Sequence, residues 1–428
     1  MSAGPAGQGP AGPGGAPARV WALLLAAVCA LAAAAPYAAP TAAAAAPPAI
    51  RAPSAILVEP ATGDVVLSRR ADARRAIAST TKLMTALVVL DRKKLSDVVR
   101  AVPYRALPVE SVAGLRAGER LTVADLVRAM LVASANDAAA TLATRVGGSP
   151  RRFVALMNAR ARSLGLRDTH FSNPIGLDEP GNYSSASDLV KLTLILRREP
   201  FFRAVTDRAR VTLHSGVRPR TLLNRNLLVR RWAFVNGVKT GHTQQAGYVL
   251  IGSASRGGVT VLSAVLGDAS EAARDADTLA LLRYGLRRYT RSTPVRRNER
   301  FATARLRDRD ERVDLVAGRT VRWTVRRGEP ARTRVTGAPH VVDGPLPART
   351  RVGTVEVRWR GHVVARIPLV TRTAVGSAGL LDRADDVAGR TLLVFLLAGV
   401  ALGSLHLALL RRRARRRRAL QRGGTEVA

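Results

Sequence analysis

The chain has 428 residues, enough for two domains with terminal segments, and its 47% of hydrophobic residues exclude a protein that is disordered throughout. Its formal net charge is +37, from 68 Lys and Arg residues against 31 Asp and Glu residues. Taken alone, this excess indicates a polyanionic partner such as nucleic acid or an anionic surface, so the location of the charge decides its meaning.

The basic residues are 63 Arg and only five Lys, a skew typical of high-GC coding bias. Arg serves as well as Lys for solubility and surface ion pairs, but a guanidinium is essentially never deprotonated. Arg therefore cannot replace a lysine whose amine must lose its proton. The remaining lysines are candidates for function: Lys82, Lys93, Lys94, Lys191 and Lys239.

Cysteine and histidine predict neither disulfide chemistry nor a zinc site. The one cysteine, Cys29, falls in an apolar segment that we expect to be removed from the mature protein. The six histidines lie far apart and form no pair at helical ligand spacing with cysteines or carboxylates.

The N-terminal residues 1–46 are predicted to be a signal peptide and an Ala/Pro-rich leader. A Gly/Pro/Ala-rich start ends in Arg19, and the apolar run 20–35 follows directly. Several Ala-x-Ala sites then place cleavage near residues 35–46. Val28 precedes Cys29 without a small-residue lipobox, which disfavours a lipoprotein.

The elements from residue 50 to 292 follow a mixed order. SAILVEP and GDVVLS, separated by a short turn, predict a β-hairpin. One helix is predicted over residues 79–90, and another begins at Thr122, which forms a capping-box-like pair with Asp125. VNGVKTG, AGYVLIGSAS and VTVLSAVLG predict strands, and SEAARDADTLALLRYGLRRY predicts a helix after them.

Residues 296–372 alternate apolar and basic side chains at period two, which predicts a small β-rich C-terminal domain with a solvated basic face. Residues 373–390 are polar or small and are predicted to be a linker. Residues 391–410 carry no formal charge and match the ~20 residues that a membrane-spanning helix needs.

The run RRRARRRR begins the segment 411–428, which the positive-inside rule assigns to a cytoplasmic tail. We therefore expect a single-pass membrane protein whose residues before 391 lie outside the cell. The alternative, a buried core helix followed by a nucleic-acid-binding tail, fits poorly with an export signal.

Three short motifs occur in order along the chain: Ser79-Thr80-Thr81-Lys82, Ser134-Ala135-Asn136 and Lys239-Thr240-Gly241. Each is weak alone, because so short a match recurs by chance. The ordered triple is typical of the active site of serine penicillin-binding proteins and β-lactamases.

The first motif places an amine beside a hydroxyl. Ser79 precedes a predicted helix, so Lys82 lies about one turn further on the same face. A lysine accepts the proton of a serine nucleophile if burial and nearby cations lower its pKa. The alternative is an N-cap serine with a surface lysine; the motif order and the scarcity of Lys disfavour it.

The second motif is predicted to present side chains to a cleft, and the third to bind a ligand. Ser134 and Asn136 fall in a loop tip between helices, where plain helix capping is the alternative reading. The third motif ends a predicted strand: Gly241 lets a ligand approach the backbone, while Lys239 and Thr240 bind a carboxylate. A bland turn after a strand is the competing interpretation.

Longer stretches resemble the low-molecular-mass penicillin-binding proteins that are D-alanyl-D-alanine carboxypeptidases. The likeness covers residues 55 to about 290, including IASTTKLMTAL, LVASANDAA and VNGVKTGHTQQAGYVLIGSAS, and extends less closely over 296–372. It implies an α+β fold: a serine β-lactamase/DD-peptidase-like domain, with an antiparallel sheet, helices on both sides and a helical subdomain, followed by a small all-β domain.

The resemblance also implies roles for the motif residues. Ser79 would be the acylated nucleophile, Lys82 its general base and Ser134 an assistant in proton transfer. The backbone N–H groups of Ser79 and His242 would form the oxyanion hole, although the side chain of His242 has no role that we can derive. The residues expected to bind substrate are Asn136, Lys239, Thr240, Gly241 and His242.

The implied partners are peptidoglycan stem peptides ending in D-Ala-D-Ala, β-lactam antibiotics that acylate Ser79, and the lipid membrane, with no nucleic acid. The implied reaction needs no metal or organic cofactor. One departure from the family is Ile175, where a polar residue is common. Another is the spanning segment, because familiar members often end in an amphipathic helix on the membrane surface.

Two other functions compete with this one. A class A-like β-lactamase needs a deacylating Glu, and Glu179 lies in the right interval but in EPGN rather than E-x-x-L-N. A non-catalytic envelope scaffold or polyanion binder is disfavoured by the intact Ser/Lys pair and by export.

Overall fold

The computed structural model describes residues 46–307, 309, 311–377 and 380–422. The predicted signal peptide and nearly all of the leader lie outside these residues. The elements up to residue 288 are, in chain order, β1 (Ser54–Glu59), β2 (Asp64–Arg69), a 3-10 turn (Ala78–Thr81), α1 (Lys82–Leu90), β3 (Val98–Arg100), β4 (Arg120–Thr122), α2 (Val123–Val132), α3 (Asn136–Gly147), α4 (Pro150–Ser163), α5 (Ala186–Leu196), α6 (Pro200–Thr206), β5 (Arg210–Leu213), β6 (Arg220–Leu223), α7 (Leu227–Arg231), β7 (Val235–Thr243), β8 (Gly247–Arg256), β9 (Val259–Asp268) and α8 (Glu271–Arg288).

The central sheet has the strand order β2-β1-β9-β8-β7, and each neighbouring pair is antiparallel. β1 and β2 form the predicted hairpin, and β1 also pairs with β9, which joins the two ends of this domain. Alternate residues serve opposite faces: Ile56 and Leu262 join the core of the helical subdomain, whereas Leu57 and Val261 pack with α8. The predicted sheet with helices on both sides is confirmed.

The helical subdomain places the second motif. The side chain of Thr122 caps α2 by accepting a hydrogen bond from the backbone N–H of Asp125 at 3.2 Å, as the capping pattern predicts. The apolar stripe of α2, including Leu126 and Met130, is fully buried. Because α2 ends at Val132 and α3 begins at Asn136, the second motif lies in the turn between two packed helices.

A second region, whose described elements are all strands, follows α8. Its strands are β10 (Tyr289–Val295), β11 (Arg300–Leu306), β12 (Arg312–Ala317), β13 (Val321–Arg326), β14 (Arg332–Thr336), β15 (Val341–Val342), β16 (Arg351–Trp359) and β17 (His362–Thr371). The larger sheet has the order β14-β16-β17-β12-β11-β15, while β10 pairs with β13. The period-two pattern buries Val355, Val357, Ile367 and Leu369 and leaves most of the basic residues exposed.

The C-terminal helix α9 (Leu380–Arg422) is longer than the sequence pattern indicates. It contains a candidate membrane span, Thr391–Arg415, with a mean hydropathy of 2.3 and no burial against the rest of the chain. The segment 373–390 was predicted to be a linker because it is polar. From Leu380 onward, its Ala, Leu, Asp and Arg residues are nevertheless compatible with a helix that continues into the apolar segment.

Candidate active site

The first motif forms a serine–lysine pair. The Lys82 Nζ atom lies 2.9 Å from Ser79 Oγ and also donates a hydrogen bond to the carbonyl oxygen of Ile175. Lys82 is 0% exposed, whereas Ser79, in the 3-10 turn, is half-buried. The one-turn spacing therefore places the buried amine of Lys82 beside the partly accessible hydroxyl of Ser79.

The burial of Lys82 changes its acid–base chemistry. Removal from water lowers the pKa of its amine to about 7, although the negative charges of Glu110 and Asp137 act to raise it. Near neutral pH a large fraction of this amine is uncharged and holds a lone pair. Such a group can accept the proton of a serine hydroxyl.

The second and third motifs form another serine–lysine pair. Lys239 Nζ donates hydrogen bonds to Ser134 Oγ at 3.0 Å and to the carbonyl oxygen of Thr240 at 2.8 Å. Ser134 lies in the turn between α2 and α3 and has a positive φ of 62°, and this backbone conformation sets the direction of its side chain. Burial lowers the pKa of Lys239 well below its usual range, and the nearby cations Lys82, Arg225 and Arg274 lower it further.

Glycine permits the close packing of β7 on the turn that carries Ser79. A Cβ atom on Gly241 would lie 3.0 Å from Ala78 Cβ and 3.1 Å from the backbone nitrogen of Ser79. On the other side of the turn, a Cβ on Gly176 would lie 2.1 Å from the carbonyl oxygen of Ala78. The turn is thus held between strand β7 and the loop that contains Gly176. Contrary to expectation, β7 continues through the third motif to Thr243 instead of ending there.

The remaining predicted site residues lie along the same strand and turn. Thr240 and Asn136 are 7% and 5% exposed, so both line a largely desolvated wall. The exposed imidazole ring of His242 stacks on Tyr248 with a centroid separation of 4.0 Å. This contact gives the His242 side chain a packing role that the sequence alone does not indicate.

The loop 173–182 supplies contacts that sequence reasoning missed. Asn173 Oδ1 accepts hydrogen bonds from the backbone N–H groups of residues 175–177 and so shapes the loop. Ile175 contributes its carbonyl oxygen to Lys82, so an apolar side chain at this departure from the family pattern leaves the contact intact. Asp178 accepts a hydrogen bond from Thr243 Oγ1 at 2.6 Å, which ties the loop to the end of β7.

Glu179, the candidate deacylating base of the β-lactamase alternative, is exposed and accepts a hydrogen bond from Asn173 Nδ2 at 2.9 Å. Its carboxylate therefore forms a hydrogen bond within its own loop. This arrangement does not favour the β-lactamase alternative.

A different carboxylate, Glu110, lies beside the second motif. Its Oε2 atom accepts hydrogen bonds from the Tyr104 hydroxyl and, at 2.6 Å, from Asn136 Nδ2. Burial alone would raise the pKa of Glu110, but these hydrogen bonds outweigh it and hold the pKa below the usual range. The loop that carries Glu110 has no periodic pattern, so the sequence offers no indication of this contact.

Comparisons with known proteins identify the family. The family model of the peptidase S11 D-alanyl-D-alanine carboxypeptidases matches residues 41–270. D-alanyl-D-alanine carboxypeptidase DacD of Escherichia coli K12 is 35% identical over 358 residues, which cover 79% of this chain and 90% of DacD.

Solved structures give the same result. Penicillin binding protein 5 from Haemophilus influenzae aligns with a TM-score of 0.57 and 28% identity over 78% of this chain and 100% of its own. The Streptomyces K15 DD-transpeptidase aligns with a TM-score of 0.54 and 33% identity over 56% of this chain and 99% of its own. The predicted family and fold are confirmed: this chain belongs to the S11 family of D-alanyl-D-alanine carboxypeptidases, serine peptidases with the penicillin-binding protein fold.

Proposed function

We propose that this enzyme removes the terminal D-alanine from peptidoglycan stem peptides through an acyl-enzyme on Ser79. Lys82 Nζ accepts the Ser79 proton while Oγ attacks the carbonyl carbon of the D-alanyl-D-alanine amide. The observation that carries this proposal is the 2.9 Å contact between Lys82 Nζ and Ser79 Oγ, combined with the lowered pKa of the buried amine.

The opposite wall of the cleft binds and protonates the leaving group. Lys239 and Thr240 hold the terminal carboxylate of the peptide, because a buried amine surrounded by cations gains most from an anion. As the C–N bond breaks, the departing amine takes up the proton that Lys82 removed from Ser79, and Ser134, whose hydroxyl contacts Lys239, assists this transfer. Water then hydrolyses the ester and returns Ser79 to its free state.

The negative oxygen that develops during attack is stabilised by the backbone N–H groups of Ser79 and His242. The closeness of Gly241 to the Ser79 nitrogen supports this role, because β7 and the turn meet where the oxyanion forms. Asn136 binds the substrate backbone from the second motif. Penicillins are expected to acylate the same serine.

We further propose that the catalytic domain lies outside the cell. The candidate span Thr391–Arg415 begins with the uncharged residues 391–410, which are long enough to cross a membrane, and the arginines that begin at residue 411 favour the cytoplasmic side. The predicted signal peptide, which lies outside the described residues, would initiate export. The catalytic domain would then reach peptidoglycan while remaining tethered by α9.

The test uses the full-length chain in detergent with a fluorescent penicillin and a peptide ending in D-Ala-D-Ala. We expect a penicillin adduct on Ser79 by mass spectrometry and release of D-alanine, both lost in Ser79→Ala. A folded wild-type enzyme that forms no Ser79 adduct would contradict the assigned roles. Because the similar Streptomyces K15 protein is a DD-transpeptidase, an amine acceptor should be added to compare hydrolysis with aminolysis.

A further inference from the structure

Glu110 belongs to none of the three motifs, yet its carboxylate contacts one of them directly. Resting on the function proposed above, we propose that Glu110 is a positioning residue for acyl transfer. Its carboxylate orients the Asn136 amide so that Oδ1 is available to an N–H group of the bound peptide.

The orientation follows from the chemistry of the two groups. An ionised carboxylate only accepts hydrogen bonds, whereas an asparagine amide has a donor end and an acceptor end. The 2.6 Å contact with Glu110 Oε2 must therefore be made by Asn136 Nδ2, as found. Since the amide is planar, Oδ1 has to point to the other side of the group.

The freed oxygen has no hydrogen-bond partner within the part of the chain that the structure describes. Asn136 Oδ1 is buried, and the residue is only 5% exposed. A buried acceptor without a partner is unfavourable, so a donor brought by a ligand is bound more strongly there than at a hydrated oxygen. The backbone N–H of a peptide beside Ser79 is such a donor.

Glu110 is itself held in place from several directions. Tyr104 donates its hydroxyl hydrogen to Oε2, and the backbone N–H of Leu107 donates to Oε1 at 3.1 Å. The next residue, Ser111, accepts the backbone N–H of Asn136 through its carbonyl oxygen at 2.8 Å. The loop therefore fixes both the main chain and the side chain of Asn136.

The charge of Glu110 has a second effect on the site. Lys82 faces Glu110 and Asp137, whose negative charges both raise the Lys82 pKa against the effect of burial. Its hydrogen-bond partners are Ser79 Oγ and the carbonyl oxygen of Ile175, and the amine of Lys239 also interacts with it electrostatically. Removing the Glu110 charge should therefore lower the Lys82 pKa further.

The test is Glu110→Gln, which keeps the side-chain length but introduces an amide that both donates and accepts. We expect the rate constant for acylation of Ser79 by a fluorescent penicillin to fall about tenfold at its alkaline plateau. We also expect the acid limb of the pH–rate profile to move to lower pH. The exposed Glu199 provides a matched control, and Glu199→Gln should leave both quantities unchanged.

A double-mutant cycle separates positioning through Asn136 from a general structural effect. In an Asn136→Ala background, Glu110→Gln should lower the acylation rate constant by less than about twofold. A full tenfold loss in that background, or no loss in the wild-type background, would overturn the proposal. Melting temperatures check that each variant is folded. Absence of a Ser79 adduct in the wild-type enzyme would instead reject the proposed function.

Discussion

The two serine–lysine pairs of the site have nearly the same geometry but different electrostatic surroundings. Lys82 lies 2.9 Å from Ser79 Oγ and Lys239 lies 3.0 Å from Ser134 Oγ, and both lysines are buried. Burial lowers the pKa of both amines. Carboxylates oppose this effect at Lys82, whereas neighbouring cations reinforce it at Lys239.

Under the proposed function, this difference lets similar pairs serve different steps. The Lys82 pKa of about 7 allows the amine to accept and return a proton near neutral pH. The Lys239 amine lies among cations. A carboxylate that binds there offsets their positive charge and favours protonation of the amine. In the proposed mechanism, surrounding charge thus distinguishes the base, Lys82, from the anion-binding group, Lys239.

The largest expected effect is loss of the base at Lys82. Lys82→Met and Lys82→Arg should each lower the rate constant for acylation by penicillin about 1000-fold, because neither side chain accepts the Ser79 proton at neutral pH. Time-resolved labelling followed by intact-mass analysis measures this rate constant. Lys94→Met, at an exposed lysine, is the control. Near-normal acylation in Lys82→Met would assign the base to another group.

A smaller effect is expected at Lys239. Lys239→Met should lower acylation by a penicillin about 10- to 100-fold, because the ligand carboxylate loses a charged hydrogen-bond donor. The wild-type enzyme should prefer the free acid of the penicillin to its methyl ester, and the variant should lose that preference. If the variant retained the preference, Lys239 would not be the carboxylate-binding residue.

The sequence predicted the sheet, the main helices and the three motifs because each depends on local pattern. Continuous apolar runs identify β8 and β9, which are buried along most of their length, and the cap at Thr122 identifies the start of α2. The order of the motifs also predicted that residues far apart in the chain share one cleft. Their catalytic roles remain predictions until they are tested.

Other features could not be predicted because they depend on tertiary contacts. The approach of Glu110 to Asn136 depends on the course of an irregular loop that has no periodicity. Lys82 contacts the backbone carbonyl oxygen of Ile175 and not its side chain, so the identity of residue 175 does not predict this contact. The helical start at Leu380 differs from the predicted linker because polar residues such as Asp and Arg also have enough helix propensity to continue a helix.

The pH dependence of acylation provides a finer test of the Lys82 environment. Only the neutral amine is a base, so the acylation rate constant should rise with pH through a midpoint near the Lys82 pKa of about 7. Below this midpoint the slope should be about tenfold per pH unit. Stopped-flow acylation measured across the pH range determines the midpoint. A midpoint near the ordinary lysine value of 10.5 would show that burial does not control this amine.

The smallest expected effect is on stability. Between a folded pKa of about 7 and the ordinary value of 10.5, the unfolded chain binds the Lys82 proton more readily than the folded chain. The contribution of Lys82 to stability therefore improves as pH rises through this window and is least favourable at and below pH 7. Lys82→Met removes this penalty but also leaves the Ser79 hydroxyl and Ile175 carbonyl without their partner.

We expect the balance at pH 7 to be a gain of about 1 kcal/mol in the free energy of unfolding, seen as a rise of about 2–4 °C in melting temperature. The gain should shrink toward pH 10, because the wild-type amine is then neutral in the folded state at little cost. Lys239→Met should gain at least as much at pH 7, since cations rather than carboxylates surround its amine. A gain independent of pH in both variants would instead indicate improved apolar packing, and the electrostatic difference between the two lysines would not govern stability.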